Sequence, residues 1–232
     1  MNYRASICLA LSLLCKSAVA QERVPDGFKL IDGASRIRLS AAVVKPVIAE
    51  SHGSNRVEAV TRYIAMLSSG NVTSRCFAAW ALGQFQSQRS WDALFAQAEN
   101  EKQENVLRVI ADSLAGLSGG GLPGSTDIVE GNAREQLSTW RDFYHAHGYL
   151  GVFRQKYKEW KGNLEGEGML VGCLADWLSP ELVPVVHEIE KETSFEQLRL
   201  RCKETALKSE QIGDVNRQQF PPSSIRLPVH GK

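Results

Sequence analysis

The sequence lacks the short motifs that mark the commonest dithiol and zinc sites. No C-x-x-C or H-E-x-x-H pattern occurs in its 232 residues, so a dithiol or zinc-protease site has no support. His145 and His147 lie two positions apart, so on a helix they point to different sides and form no metal site. Glu165 and Glu167 stand between glycines, and we expect them in a loop with no second group to tune them. We therefore predict a protein that is not an enzyme and holds no metal or cofactor.

The sequence also lacks an excess of basic over acidic residues, or of acidic over basic ones. The chain has 27 basic and 26 acidic residues, and this balance offers no electrostatic surface for nucleic acid or an anionic membrane. Beyond the first twenty residues, no apolar run is long enough to span a bilayer. The glycine-rich stretch SGGGLPGSTD lacks the lysine that a phosphate-binding loop requires, so we expect a connector there.

Cysteine is scarce and unevenly placed. Two of the five cysteines lie in the first twenty residues, which leaves Cys76, Cys173 and Cys202. In an oxidising compartment an odd number means at least one unpaired thiol. Cys173 and Cys202 are the better candidates for a disulfide. The alternative is three buried, unreactive thiols, because equivalent positions in stacked repeats often lie too far apart to be bridged.

The first twenty residues have the layout of a secretory signal peptide. A start that carries Arg4 is followed by the short apolar run ASICLALSLLC, and Ala18-Val19-Ala20 resembles a cleavage site. We therefore predict export, either to a periplasm or out of the cell. Removing this segment lowers the formal net charge of +1 by two, so the mature chain stays close to neutral.

Helical patterns recur with a period near 32 residues. SRCFAAWALGQ at 74–84 aligns with VLRVIADSLAGL at 106–117 after a shift of 32. RSWDALFAQAENE at 89–101 lies between them and has apolar residues at helical spacing, as does NRVEAVTRYIAML at 55–67. Less regular helical patterns continue to about residue 210. Fixed-period helix pairs are typical of α-solenoids, in which each pair buries its apolar face against the next.

The stretch at 74–84, followed by a turn and S-W-D-A-L, resembles a HEAT repeat of the phycobilin-lyase type. The positions that fit this pattern are Arg75, Ala78, Ala79, Ala81, Leu82 and Gly83. The resemblance covers about residues 55–117 and implies an all-α protein, an α-solenoid of stacked antiparallel helix pairs with irregular N- and C-terminal segments. We divide the chain into a signal peptide (1–20), an irregular segment (21–38), HEAT-like repeats (39–117), a glycine-rich connector (118–131), degenerate helical repeats (132–210) and an extended tail (211–232).

Solenoids of this kind commonly bind a partner on one face, which the second helix of each pair would supply here. We predict Arg62, Tyr63, Asp92 and Gln97 as partner-binding residues. The leading hypothesis is an exported, non-enzymatic scaffold that binds another protein, and a specific version is a periplasmic immunity or inhibitor protein. The alternative is a lyase-like or other small-molecule-binding enzyme that uses the solenoid groove, by analogy with phycobilin lyases.

Overall fold

The computed structural model describes residues 24–30, 37–119 and 133–219, with side chains up to residue 213. The predicted signal peptide, most of the glycine-rich connector and the end of the tail lie outside the described residues. Near the start of the described residues, β1 (Phe28–Leu30) pairs antiparallel with β2 (Ile37–Leu39). We expected this segment to be irregular, because strands of three residues are too short for an alternating pattern to show.

Helices form nearly all of the remaining described structure, so the predicted all-α class is confirmed. A 3₁₀ turn, Pro180–Leu182, precedes α8, and α6 is kinked at Gly148, where φ is +68°. The helices are α1 (Ala41–His52), α2 (Arg56–Leu67), α3 (Val72–Leu82), α4 (Gln88–Asn100), α5 (Glu104–Leu117), α6 (Ala133–Trp160), α7 (Leu164–Trp177), α8 (Val183–Glu192) and α9 (Glu196–Gln219).

The helix starts are fixed by local side chains and repeat at the predicted interval. The side-chain oxygens of Asn71, Ser87 and Asn163 accept backbone N–H groups in the first turns of α3, α4 and α7. The first residues of α2 and α4 are 32 positions apart, and so are those of α3 and α5. The period read from the sequence therefore corresponds to a real recurrence of helix pairs.

Helices that are next but one in the chain pack side by side. On one side α2 contacts α4, α4 contacts α6 and α6 contacts α8. On the other side α3 contacts α5 and α7 contacts α9. Consecutive helices also contact each other along most of the chain, so the apolar core lies between the two sides.

The alanine-rich helix α3 approaches α5 closely, as its sequence predicts. Ala78, Ala79 and Ala81 are all fully buried, and the Ser113 hydroxyl donates a 3.0 Å hydrogen bond to the carbonyl of Ala79. A Cβ atom on Gly83 would lie 2.7 Å from the Cβ of Ser113, so glycine is required there by space. Small side chains thus bring the two backbones together.

Two helix boundaries differ from the sequence prediction. Helix α7 begins at Leu164, so Glu165 and Glu167 lie in its first turn rather than in a loop. Gly166 belongs in that turn because Trp160 occupies the space of a side chain there, with its Cγ 2.8 Å from a Cβ built on the glycine. Helix α9 continues to Gln219, so the part of the tail at 211–219 is helical rather than extended. None of the described helices has the length and apolarity of a transmembrane segment.

Candidate functional site

The outward side chains of α2, α4 and the first half of α6 form one continuous surface, here called the α2–α4–α6 face. Three polar contacts join the helices across it. Arg89 donates to the Thr61 hydroxyl at 3.2 Å, Tyr144 donates to Asp92 at 2.8 Å, and Arg141 contacts Glu99 at 3.3 Å. The exposed residues of the face are small or polar: Glu58, Thr61, Ala65, Arg89, Asp92, Ala96, Glu99, Ser138, Thr139, Asp142, His145 and Ala146.

Arg62 and Tyr63 begin this face on α2, but only Arg62 reaches its surface. Tyr63 is buried, its ring contacts Phe77 and its hydroxyl donates to Glu50 at 2.8 Å. Burial raises the pKa of Tyr63 to about 12. Arg62 is partly exposed and donates to both carboxylate oxygens of Glu50 at 2.7 Å. The buried Tyr63 hydroxyl therefore hydrogen-bonds to both members of the Arg62–Glu50 pair and is not exposed for contact with a partner.

Asp92 and Gln97 occupy different depths of α4. Asp92 is exposed near the middle of the face, and burial together with Asp92 raises the pKa of Tyr144. Gln97 is half-buried, and its side-chain amide donates to Glu101 at 2.8 Å. Of the four predicted partner-binding residues, Asp92 is the best exposed, Arg62 and Gln97 are partly accessible, and Tyr63 belongs to the core.

A buried ion pair links α3 to the turn between α4 and α5. The Arg75 guanidinium donates to the Glu101 carboxylate at 2.8 and 3.0 Å, and the backbone N–H groups of Lys102 and Gln103 donate to the same carboxylate. Burial alone would raise the pKa of Glu101, but these hydrogen bonds and that of Gln97 lower it to about 2. This pair fastens two helices and lies apart from the exposed surface.

A second polar cluster, here called the Gln86 junction, joins distant parts of the chain. The carbonyl of Gln86 accepts hydrogen bonds from Arg56 and from the Ser179 hydroxyl, the latter at 2.7 Å. The Gln86 side chain donates to the carbonyl of Leu117 and accepts from the indole N–H of Trp91 at 2.8 Å. Ser179 lies 93 positions from Gln86, so the junction ties the C-terminal half to the N-terminal half.

A cleft opens beside this junction, where the turn between α1 and α2 meets α9. Its volume is about 330 Å³ and its lining residues are His52, Gly53, Ser54, Leu178, Lys208, Gln211 and Ile212. Burial, with a further contribution from the charge on Arg56, lowers the pKa of His52. The first and last of the described helices therefore meet at one concave site.

Lys156 is a buried amine near the end of α5. It donates to the carbonyls of Ser118 and Gly119, and burial lowers its pKa to about 8. Such a cation stabilises the exposed carbonyls at a helix C-terminus.

The half-buried thiol of Cys173 lies close by, since a Cβ on Gly119 would be 3.3 Å from its Sγ. Cys76, Cys173 and Cys202 are free thiols in the structure, so the disulfide between Cys173 and Cys202 stays a prediction.

The described residues contain no group of three or more histidine, cysteine or acidic side chains that could hold a metal ion. No protein-family model, curated protein or solved structure matches the chain. The likeness to HEAT repeats therefore rests on the residues quoted above.

The Gln86 junction was not identified from the sequence. Arg56 starts a helix and the turn QFQSQ at 84–88 looks like a solvated connection, because its polar letters carry no periodic signal. The one available signal is the strong helix stop after Gly83. It marks a tight turn but does not show that the turn is buried.

Proposed function

We propose that the chain is an exported, non-enzymatic scaffold that binds another protein through the α2–α4–α6 face. The observation that carries the proposal is the continuity of this face: three neighbouring helices are joined by polar contacts and present a broad surface. On α4 Arg89 carries a positive charge and Asp92 and Glu99 carry negative charges, and the small side chains of Ala65 and Ala96 leave room for close approach. A face with charges of both signs favours a partner with a complementary pattern and helps to reject others.

The proposed architecture is an α-solenoid of the HEAT type. Its support is the 32-residue interval between equivalent helices, the packing of next-but-one helices and the residue pattern at 74–84. In such arrays each helix pair contacts its neighbours, and one layer of helices forms an extended binding surface. The α2–α4–α6 face is one such layer.

The groups with shifted pKa values favour a scaffold over an enzyme. Strong shifts occur at catalytic sites and at structural ion pairs alike. Here the low pKa of Glu101 follows from its fastening to Arg75, and that of Lys156 from its burial at the end of α5. Both groups therefore have a structural explanation.

Export is part of the proposal and is supported by residues 1–20. Cleavage after Ala20 would leave a chain that begins at Gln21. The mass of the exported protein tests this directly, because retention of the first twenty residues would contradict export by this route. A specific form of the proposal is a periplasmic immunity or inhibitor protein. In that case the neighbouring gene should encode the partner, and the two proteins should co-purify.

The binding surface is tested with the mature chain as bait in an envelope extract of the producing cells. We expect a stoichiometric protein partner to be retained. Arg89→Glu reverses a central charge of the face and should weaken binding about tenfold or more. Lys203→Glu is the matched control, because it reverses an exposed charge on α9. If both variants lose partner binding equally, or both keep it equally, this face is not the binding surface. If the wild-type bait retains no protein, the proposal is wrong.

The cleft between α9 and the α1–α2 turn favours a second candidate, a lyase-like or other small-molecule-binding enzyme. Its volume of about 330 Å³ lies within the usual range for small-molecule sites. It combines apolar Leu178 and Ile212 with polar His52 and Lys208. Native mass spectrometry of the protein from its producing cells should then show a bound metabolite. Gln211→Trp should displace that metabolite, whereas Lys203→Trp should not.

A further inference from the structure

Arg56 is a buried cation for which the described residues supply no carboxylate partner. Only 5% of its surface is exposed, and its Nη2 donates to the neutral carbonyl of Gln86. Its Nη1 has no hydrogen-bond partner among the described residues. Burial lowers the pKa of this guanidinium. A carbonyl satisfies one N–H group but does not compensate a charge that is held away from water.

Tyr149 brings a second unpaired donor to the Gln86 junction. It is also 5% exposed, and its hydroxyl lacks a hydrogen-bond partner within the described part of the chain. Its ring packs against that of Trp91 with the centroids 6.0 Å apart, and Trp91 donates to Gln86, so Tyr149 borders the junction. Burial raises the pKa of Tyr149, whereas Ser179 and the charge of Arg56 lower it. The Arg56 N–H can only donate, and the Tyr149 hydroxyl can donate as well, so one acceptor placed between them would satisfy both.

Neighbouring groups add positive potential, which the charge of Glu181 offsets in part. Arg56 is the first residue of α2, and the preceding Asn55 makes no side-chain capping hydrogen bond. The positive end of the helix dipole therefore lies at the junction. Glu181 is the acid whose charge acts on both Arg56 and Tyr149. Its carboxylate, however, is exposed and accepts the backbone N–H of Gln88 at 2.6 Å.

We propose that the Gln86 junction binds one small monovalent anion, of the size of chloride, between Nη1 of Arg56 and the hydroxyl of Tyr149. A water molecule would accept from both donors but would leave the guanidinium charge uncompensated. An anion accepts from both and neutralises that charge. Bound there, it would hold α2, the turn after α3 and the segment at Ser179 together. This site is independent of the α2–α4–α6 face.

Thermal unfolding in different sodium salts at fixed ionic strength tests the site. Chloride and bromide fit a site of this size, whereas gluconate is too large to enter. When chloride is present at about ten times its dissociation constant, the unfolding midpoint should rise by about 3–6 °C above its value in gluconate. Equal midpoints in chloride and gluconate would overturn the proposal.

Variants connect the shift to the junction. Tyr149→Phe removes only the hydroxyl and should reduce the chloride-specific rise by at least half. Arg56→Gln should abolish the rise, although this variant also weakens the bond to Gln86. Arg89→Gln removes an exposed arginine and should keep the full effect. A chloride-specific rise of full size in Tyr149→Phe would contradict the assigned position.

Crystals grown in sodium bromide give a readout that does not depend on stability. We expect an anomalous peak between the Arg56 guanidinium and the Tyr149 hydroxyl. Density at that position without anomalous signal would identify a water molecule and refute the anion.

Discussion

The Arg75–Glu101 ion pair allows the sharpest prediction about stability. Replacing Glu101 by Gln keeps the shape of the side chain but removes its charge and turns amide hydrogens toward its donors. Five donors converge on this carboxylate: two from Arg75, one from Gln97 and the backbone N–H groups of Lys102 and Gln103. Only 3% of the Glu101 side chain is exposed, so solvent screens the pair little.

The magnitude follows from the pKa. Glu101 has a pKa of about 2 in the folded protein against an ordinary value of 4.5. This difference corresponds to about 3 kcal/mol of stability at neutral pH. Because the folded pKa is the lower one, the contribution is complete above pH 4.5 and disappears as the pH falls toward 2. We therefore expect Glu101→Gln to lose about 3 kcal/mol at pH 7 and progressively less below pH 4.5.

Urea unfolding of the wild type and the variant at pH 7, 5 and 3 measures this difference. Glu104→Gln is the matched control, because Glu104 pairs with Arg108 on the surface and its side chain is 49% exposed. We expect the control to change stability by less than about 0.5 kcal/mol. A loss below about 1 kcal/mol for Glu101→Gln at pH 7, or a loss that does not change between pH 5 and 3, would refute the reasoning.

Three further predictions follow from the core. Gly83→Ala should lower the free energy of unfolding by about 1–3 kcal/mol, because its Cβ would collide with Ser113. Gly116→Ala is the control. Its Cβ meets open space, so this variant should be neutral or slightly stabilising. Lys156 has a folded pKa of about 8 against 10.5, so the unfolded chain binds more protons in that window and the group makes stability rise with pH. The stability advantage of the wild type over Lys156→Met should grow by about 2 kcal/mol from pH 8 to 10, and a constant difference would argue against this burial. Iodoacetamide should modify half-buried Cys173 before Cys76 or Cys202, because burial raises the pKa values of the latter two thiols to about 11 and 12. If a peptide map made without reductant links Cys173 to Cys202, it would instead establish the disulfide.

Periodic features were predictable because each helix carries its own signal. The small residues of α3 and the apolar spacing of α4 indicate helices and their interval without reference to distant residues. For the same reason the close approach at Ala79 and Gly83 could be predicted, since only small side chains permit it.

The depth of individual polar residues was not predictable in the same way. Tyr63 and Arg62 are adjacent on α2 and both donate to Glu50 on α1, yet Tyr63 lies in the core and Arg62 reaches the surface. The start of α7 was missed because its first turn contains glycines, which the sequence alone does not distinguish from a loop. Here the space taken by Trp160 makes Gly166 the fitting residue.

The bond between Ser179 and Gln86 also limits how this protein can grow. An open row of helix pairs can be lengthened by duplication, because each new pair needs only a neighbour on either side. Here the carbonyl of Gln86 accepts from Arg56, which precedes it in the sequence, and from Ser179, which follows it. An extra 32-residue unit inserted between Gln86 and Ser179 would move the serine away from its acceptor. The number of helix pairs between these two residues is therefore set by an internal closure, and duplication within this segment would break it.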